Sequence, residues 1–205
     1  IVGKIGLVDY GMGNIHSVRK ALENLEEEVL IVKNKDNIDQ CKGLIIPGQG
    51  AFDPAIENLY KTDLIGNIKD WIAKGNPFLG ICLGLQLLFE YSEEGDKEGL
   101  GIIKGGIKKI PQIDNQKIPH IGWCKLIIER ESKLLSREYS DYWVYFDHSY
   151  FAVPSDKELI TASVEYGSIL LTAVVEYENL LACQFHPEKS GEKGETILHR
   201  WLQNI

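Results

Sequence analysis

Between Lys4 and Tyr91 the chain switches repeatedly between two hydrophobic periods, and that alternation restricts its fold more than any other feature. Lys4-Ile5-Gly6-Leu7-Val8-Asp9 is an apolar run of strand length. A glycine turn separates it from a helix predicted from about Ile15, with Val18, Ala21, Leu22 and Leu25 on one stripe. Glu28 to Lys33 and Gly43 to Pro47 read as two further strands. Leu64, Ile65, Ile68, Trp71 and Ile72 recur at helical spacing up to Gly75-Asn76-Pro77, then Phe78 to Ile81 reads as a fourth strand and Leu83 to about Tyr91 as a helix. Strands joined by helical crossovers pair in parallel, so the expected class is α/β with a doubly wound, mostly parallel sheet.

Beyond about Gly99 glycines, prolines and short strand-like runs take over: Trp123 to Glu129, Tyr142 to Asp147, Leu159 to Val164, Ile169 to Val175 and Leu180 to Phe185. These are expected to form an antiparallel β extension, closed by a helix over Glu195 to Leu202. With no repeat, low-complexity tract or linker, the 205 residues read as a single domain, 1–205.

Composition removes several function classes. The chain carries 22 Lys+Arg against 30 Asp+Glu, a net charge of -8, and its densest basic stretch, Lys104 to Lys109, reads as a solvated turn; no nucleic-acid partner is expected. No apolar run reaches the roughly 18 residues of a membrane span. The start, Ile1-Val2-Gly3-Lys4-Ile5, lacks the charged and apolar regions of a secretory leader. Cys41, Cys82, Cys124 and Cys183 lie far apart without a C-x-x-C pair, and His16, His120 and His148 are dispersed, so neither a metal nor a disulfide scaffold is predicted; a reducing cytoplasm fits. Gly11-Met12-Gly13-Asn14 follows a strand as a dinucleotide loop would, but His16 stands at the third glycine position and no cofactor is expected. Asp141, Asp147 and Glu165 lack the spacing of a glycosidase pair.

The sharpest chemical signal is Gly80-Ile81-Cys82-Leu83-Gly84-Leu85-Gln86. A buried strand ends at a small-residue turn, a cysteine sits at its tip, and an apolar helix follows, as in a nucleophile elbow. Gly80 and Gly84 keep side chains out of a tight turn, and peptide N–H groups at the helix start favour negative charge on sulfur. A lone cysteine is more often a small core hydrophobe; both glycines and the strand–helix context reverse that balance. A sulfur nucleophile needs a base and a group to orient it. Gln184-Phe185-His186-Pro187-Glu188 offers both, with His186 leaving an apolar strand and Glu188 beyond a stiff proline. Pro47-Gly48-Gln49-Gly50-Ala51 carries a third strand into a glycine loop whose N–H groups, with that of Leu83, are expected to face an oxyanion.

These motifs resemble those of class I, triad-type glutamine amidotransferases, whose core is flavodoxin-like. More narrowly, Asp9-Tyr10-Gly11-Met12-Gly13-Asn14, Pro119-His120-Ile121-Gly122-Trp123 and Tyr145-Phe146-Asp147-His148-Ser149-Tyr150 look like the glutaminase subunits of imidazole glycerol phosphate synthases, with motifs in order from Leu7 to Ser190. The resemblance implies that Cys82 attacks the side-chain amide of glutamine to give a glutamyl thioester and ammonia. His186 then shuttles the proton and Glu188 orients it. It further implies that Gln86, Ser149 and Tyr150 hold the glutamine and that Gly48, Gln49, Gly50 and Leu83 form the oxyanion site. Asn14, Trp123 and Lys189 would meet a (β/α)₈ cyclase subunit, forming a heterodimer in which the ammonia is channelled into histidine biosynthesis.

Three positions depart from that pattern: Cys124 where asparagine is usual, Asp147 where an apolar residue is usual, and Gln49 where valine is frequent. They leave open a paralogue that feeds ammonia to a different synthase, such as a sugar amidotransferase. A non-catalytic docking module is disfavoured by the retained Cys82, His186 and Glu188. A cysteine hydrolase or peptidase is disfavoured by Gln86 and the late His-Pro-Glu.

Overall fold

The computed structural model describes residues 3–205; Ile1 and Val2, where the leader-free start was read, lie outside them. In chain order the elements are β1 (Lys4–Val8), α1 (Ile15–Asn24), β2 (Val29–Val32), α2 (Lys35–Ile38), β3 (Cys41–Ile46), α3 (Phe52–Lys61), α4 (Ile65–Ala73), β4 (Phe78–Ile81), α5 (Leu83–Gln86) and β5 (Tyr91–Ser92). Then come β6 (Gly105–Lys109), β7 (His120–Lys125), β8 (Ile127–Ile128), β9 (Trp143–His148), β10 (Tyr150–Pro154), β11 (Ile160–Tyr166), β12 (Ile169–Tyr177), β13 (Leu180–Cys183) and α6 (Gly191–Gln203).

The main sheet runs β2-β1-β3-β4-β13-β12-β11-β8. Its first five strands are mutually parallel, and the last three are antiparallel. The parallel strands are covered on both faces, which is why they read as continuous apolar runs rather than alternating ones. Ile5, Leu7, Ile45, Leu79, Ile81 and Leu181 share one core with Val18 and Leu22 of α1 and Ile197, Leu198 and Trp201 of α6. Leu44, Ile46, Phe78, Leu180 and Ala182 share the other with Phe52, Ile56 and Leu59 of α3 and Ile68 and Ile72 of α4. Two smaller sheets lie outside: β10-β6-β5, and the ribbon β7-β9.

The structure differs from the sequence reading in several places: Trp123 to Glu129, read as one strand, is split between β7 of the ribbon and β8 of the main sheet, and the short helix α2 was unassigned. Leu180 to Cys183, read as part of the antiparallel extension, pairs parallel with β4 and antiparallel with β12; it joins the two halves of the sheet. The helix read from Leu83 to Tyr91 is helical only to Gln86. The next carbonyls turn to other partners: Leu87 accepts from Leu100, Leu88 from Ile102 and Ile103, and Phe89 from Gly101. A helix unassigned in the sequence reading, α3, fills the segment after the glycine loop, with Pro54 tolerated in its first turn. Strand β6, covering most of the Lys104 to Lys109 stretch that was read as a solvated turn, pairs with β10, unassigned, in the small sheet beside the pocket.

Loops leaving the carboxyl ends of β1, β3, β4 and β13 converge on one crevice. Strand order reverses between β1 and β3, and open α/β sheets hold their ligands at such a point.

Candidate active site

Cys82 stands between β4 and α5 with φ 54° and ψ −107°, a backbone conformation that L side chains rarely adopt. Two glycines make the turn possible. A Cβ on Gly84 would drive into the Ile46 carbonyl, and one on Gly80 would lie 2.8 Å from the Gly84 carbonyl oxygen. The Cys82 N–H is fixed by the Cys183 carbonyl at 2.8 Å, a bond that continues the β4–β13 pairing.

That pairing decides the site. Because β13 runs parallel beside β4, His186 leaves the same end of the sheet as Cys82. The His186 N–H donates to the Tyr145 carbonyl at 3.0 Å, and Ser190 Oγ donates to the His186 carbonyl at 2.6 Å. His186 Nδ1 lies 2.9 Å from Glu188 Oε1, both side chains being almost wholly buried. His186 Nε2 makes no bond of full hydrogen-bond geometry, yet the Cys82 sulfur is close enough to act on the ring. Burial alone would lower the proton affinity of this imidazole. The adjacent Cys82 sulfur and the Glu188 carboxylate outweigh it and raise the pKa to about 10. The ring is thus set between the Glu188 carboxylate and the Cys82 sulfur, an arrangement that favours its protonated form.

A cavity of about 220 Å³ opens beside the sulfur, lined by Gln49, Gly50, Leu83, Gln86, Ser149 and Tyr150 among others. It falls below the roughly 300–1,000 Å³ of sites for drug-sized ligands, which suits a free amino acid. Gln86 is buried, and its Nε2 donates to the Tyr150 carbonyl at 3.2 Å and to Gln184 Oε1 at 3.1 Å. The structure also brings in groups the sequence reading did not select. Glu94 lines the cavity and accepts the Phe52 N–H at 2.8 Å. His148 lines it too; burial, followed by the nearby His120 and His186, holds its pKa down at about 3, so it is neutral. Its Nδ1 bonds the Tyr150 carbonyl at 2.8 Å.

The loop after β3 is close to Cys82, but its donors are not arranged as the sequence reading expects. The Leu83 N–H donates to the Gly48 carbonyl at 3.3 Å, so one of the two expected oxyanion donors is covered by the loop itself. Tyr10 Oη holds the preceding Pro47 carbonyl at 2.6 Å, and burial, with a smaller contribution from Cys82, raises the tyrosine's pKa. Gly13 (φ 82°) packs against this loop, where a Cβ would meet Gln49 N and Gly48 Cα at 2.8 Å. The glycine loop after β1 thus supports the loop after β3.

Of the other positions singled out in the sequence, Asn14 caps α1 by accepting the Ser17 N–H at 3.3 Å. It shares a small cavity with Gly48, His186, Glu188 and Lys189. Trp123 lies on β7, 51% exposed and edge-on to Tyr145. Cys124 sits on the opposite face of that strand, its sulfur 3.4 Å from His120 Nε2.

A sequence model of the family glutamine amidotransferase class-I matches residues 6–205. The chain belongs to that family. Among curated glutamine amidotransferase relatives, it is 63% identical over 204 residues to the imidazole glycerol phosphate synthase subunit HisH of Prochlorococcus marinus subsp. pastoris, covering 100% of both chains. It is 61% identical over 202 residues to the protein of the same name from Prochlorococcus marinus strain MIT 9312, covering 98% of each. The fold matches a solved PurLQS structure from Thermotoga maritima at a TM-score of 0.75 and 18% identity, over 100% of this chain and 99% of that one. Among the described residues no helix is long and apolar enough to cross a membrane.

Proposed function

We propose that this amidotransferase is the glutaminase subunit of an imidazole glycerol phosphate synthase, with Cys82, His186 and Glu188 as its triad. In this reading His186 takes the thiol proton of Cys82, and the resulting thiolate attacks the side-chain carbonyl carbon of glutamine, forming a C–S bond as the carbonyl π electrons move to oxygen. As the tetrahedral adduct collapses the C–N bond breaks, and the His186 imidazolium gives its proton to the leaving nitrogen, releasing ammonia. Water then attacks the thioester while the neutral His186 takes its proton, and the C–S bond breaks to give glutamate. The observation that carries this reading is a buried histidine 2.9 Å from the Glu188 carboxylate on one side and beside the Cys82 sulfur on the other, with that sulfur lining an amino-acid-sized cavity. Gln86, Ser149 and Tyr150 contact the glutamine, and the backbone of Gly48, Gln49, Gly50 and Leu83 serves the oxyanion once the Leu83 N–H is released.

Ammonia in water at neutral pH is mostly ammonium and no longer a nucleophile, so release into a partner is the productive route. The partner is a (β/α)₈ cyclase subunit, docked where Ile121, Trp123 and Trp143 form an exposed apolar patch on one face of the β7-β9 ribbon. Asn14 and Lys189, beside the triad, complete the contact. The same reading puts the heterodimer in the cytoplasm.

The test is glutamate release by the chain mixed with a cyclase subunit, beside its Cys82→Ala variant. Loss of turnover in the variant is expected, and equal rates reject the proposal. A pull-down that recovers a sugar-modifying synthase and no cyclase would reassign the ammonia acceptor.

A further inference from the structure

We propose that Gln184 is a positioning residue that supplies an N–H to the Cys82 sulfur and fixes which end of Gln86 faces the substrate. It deepens the glutaminase reading and rests on it. Gln184 follows β13 and is completely buried, with its own N–H held by the Ala173 carbonyl at 2.9 Å. A buried amide in a core costs stability unless its polar atoms are paired. Here its side-chain Oε1 accepts from Gln86 at 3.1 Å and its Nε2 donates to Cys82 Sγ at 3.5 Å.

The direction of this chain is fixed by a group that can only accept. The Tyr150 carbonyl takes the Nδ1–H of His148 at 2.8 Å and the Nε2–H of Gln86 at 3.2 Å. Gln86 must therefore turn its nitrogen to Tyr150, and the second hydrogen on that nitrogen goes to Gln184. Gln184 must in turn meet Gln86 with its oxygen, which leaves its nitrogen at the sulfur. Both hydrogens of the Gln86 amide are thus consumed, and its Oε1 is the atom left for the cavity. An acceptor there favours a ligand N–H, as in a carboxamide or an ammonium, and opposes a carboxylate. The N–H on sulfur is a donor to whatever negative charge the sulfur carries, both before attack and when the thioester is cleaved.

Two variants separate these roles from a purely structural one. Gln184→Met keeps the volume and removes both bonds; Gln184→Glu keeps an oxygen for Gln86 and removes the N–H at sulfur. The readout is alkylation of Cys82 by iodoacetamide in the full chain across pH, followed by mass spectrometry of the Cys82 peptide, with thermal melts to establish folding. In both variants the pH–rate profile of alkylation is expected to move up by about one pH unit, with about tenfold slower reaction at neutral pH. With the cyclase present, kcat for glutamine falls in both, whereas KM rises several-fold only in Gln184→Met. An alkylation profile unchanged in either folded variant overturns the proposal, and so does loss of the fold in both. Alkylation requires no glutamine turnover, so a failure of the glutaminase reading itself would be seen separately.

Discussion

Gln49 Nε2 donates to Asp147 Oδ2 at 3.1 Å, tying the tip of the loop after β3 to the β7-β9 ribbon across the mouth of the cavity. The two positions depart from the pattern of the resembling glutaminases, and the structure makes them a single interaction. The same loop lays the Gly48 carbonyl over the Leu83 N–H, and the Asp147 carbonyl lies 4.0 Å from Cys82 Sγ. The tether therefore holds the loop where an oxyanion donor is covered.

Breaking the tether should loosen that arrangement. Gln49→Val and Asp147→Leu are each expected to raise glutamate release by the isolated chain by about tenfold, the lower end of what one hydrogen bond to a charged acceptor is worth. The double variant should gain no more than either single one, because both remove the same bond. Partner-stimulated turnover should change by less than the basal rate does. Lower basal release in both single variants would instead make the tether part of the working site.

What was legible in the sequence follows from what side-chain type and period can report. The first four strands, α1 and α4 were read because buried stripes and continuous apolar runs have their own periods. That Cys82, His186 and Glu188 lie together was legible because few residue types suit the parts of nucleophile, base and orienter, and the three stood out on that ground. The direction of β13 was not, since period is the same in parallel and antiparallel strands. Its unbroken run of Leu180, Leu181, Ala182 and Cys183, buried throughout, is nevertheless what a doubly covered parallel strand requires. Helix α3 carried its stripe of Phe52, Ala55, Ile56 and Leu59 in plain view. By contrast, the early end of α5, the covering of Leu83 N–H and the Gln49–Asp147 bond arise from backbone turns and partners distant in sequence. No local pattern encodes them.

The strained turn at Cys82 should be measurable as stability. At φ 54° a side chain costs free energy that glycine does not, of order 1–3 kcal/mol at a sparsely populated backbone conformation. Cys82→Gly is thus expected to be more stable to urea than Cys82→Ala by about 1 kcal/mol, although both lack the sulfur. Equal midpoints for the two would mean that the elbow stores no strain. Gly84→Ala is expected to move the other way, because its methyl enters the space of the Ile46 carbonyl; a loss of about 3 kcal/mol or failure to fold follows from overpacking against backbone.

The two buried histidines should bend the pH dependence of stability in opposite directions. His148 is held at about 3 by burial, against roughly 6.5 for an unfolded histidine. As pH falls from about 6.5 toward 3 the unfolded chain takes up a proton that the fold refuses, and stability falls with it. His186, raised to about 10, stabilises the fold fully below about 6.5, and that contribution fades as pH climbs from there to about 10. In His148→Asn, whose amide keeps a donor for the Tyr150 carbonyl, the acid limb of a urea-midpoint profile should flatten. The slope should drop by up to about 1.4 kcal/mol per pH unit, one proton's worth. An unchanged acid limb would transfer the effect to His120, whose pKa burial also lowers.

Trp123 offers a test of docking that leaves the triad alone. Its ring stands 51% exposed on the outer face of β7, beside Ile121 and Trp143, and its intramolecular aromatic contact is the edge-on one with Tyr145 at 6.1 Å. Truncating such a side chain should cost the free chain less than about 1 kcal/mol of stability, as for other exposed positions. If the cyclase covers this patch, Trp123→Ala should weaken association by about 2 kcal/mol, roughly thirtyfold in Kd by titration calorimetry, since large aromatics dominate interface energy. The backbone connection makes a second effect measurable. Tyr145, which pairs with Trp123 across the ribbon, accepts the His186 N–H through its carbonyl, so the exposed patch connects to His186 through β9. At saturating cyclase, glutamine turnover by Trp123→Ala should therefore recover to within a few-fold of the unsubstituted chain if the ring supplies affinity alone. It should stay depressed if the ring also aligns β9, whose Tyr145 carbonyl holds the His186 N–H.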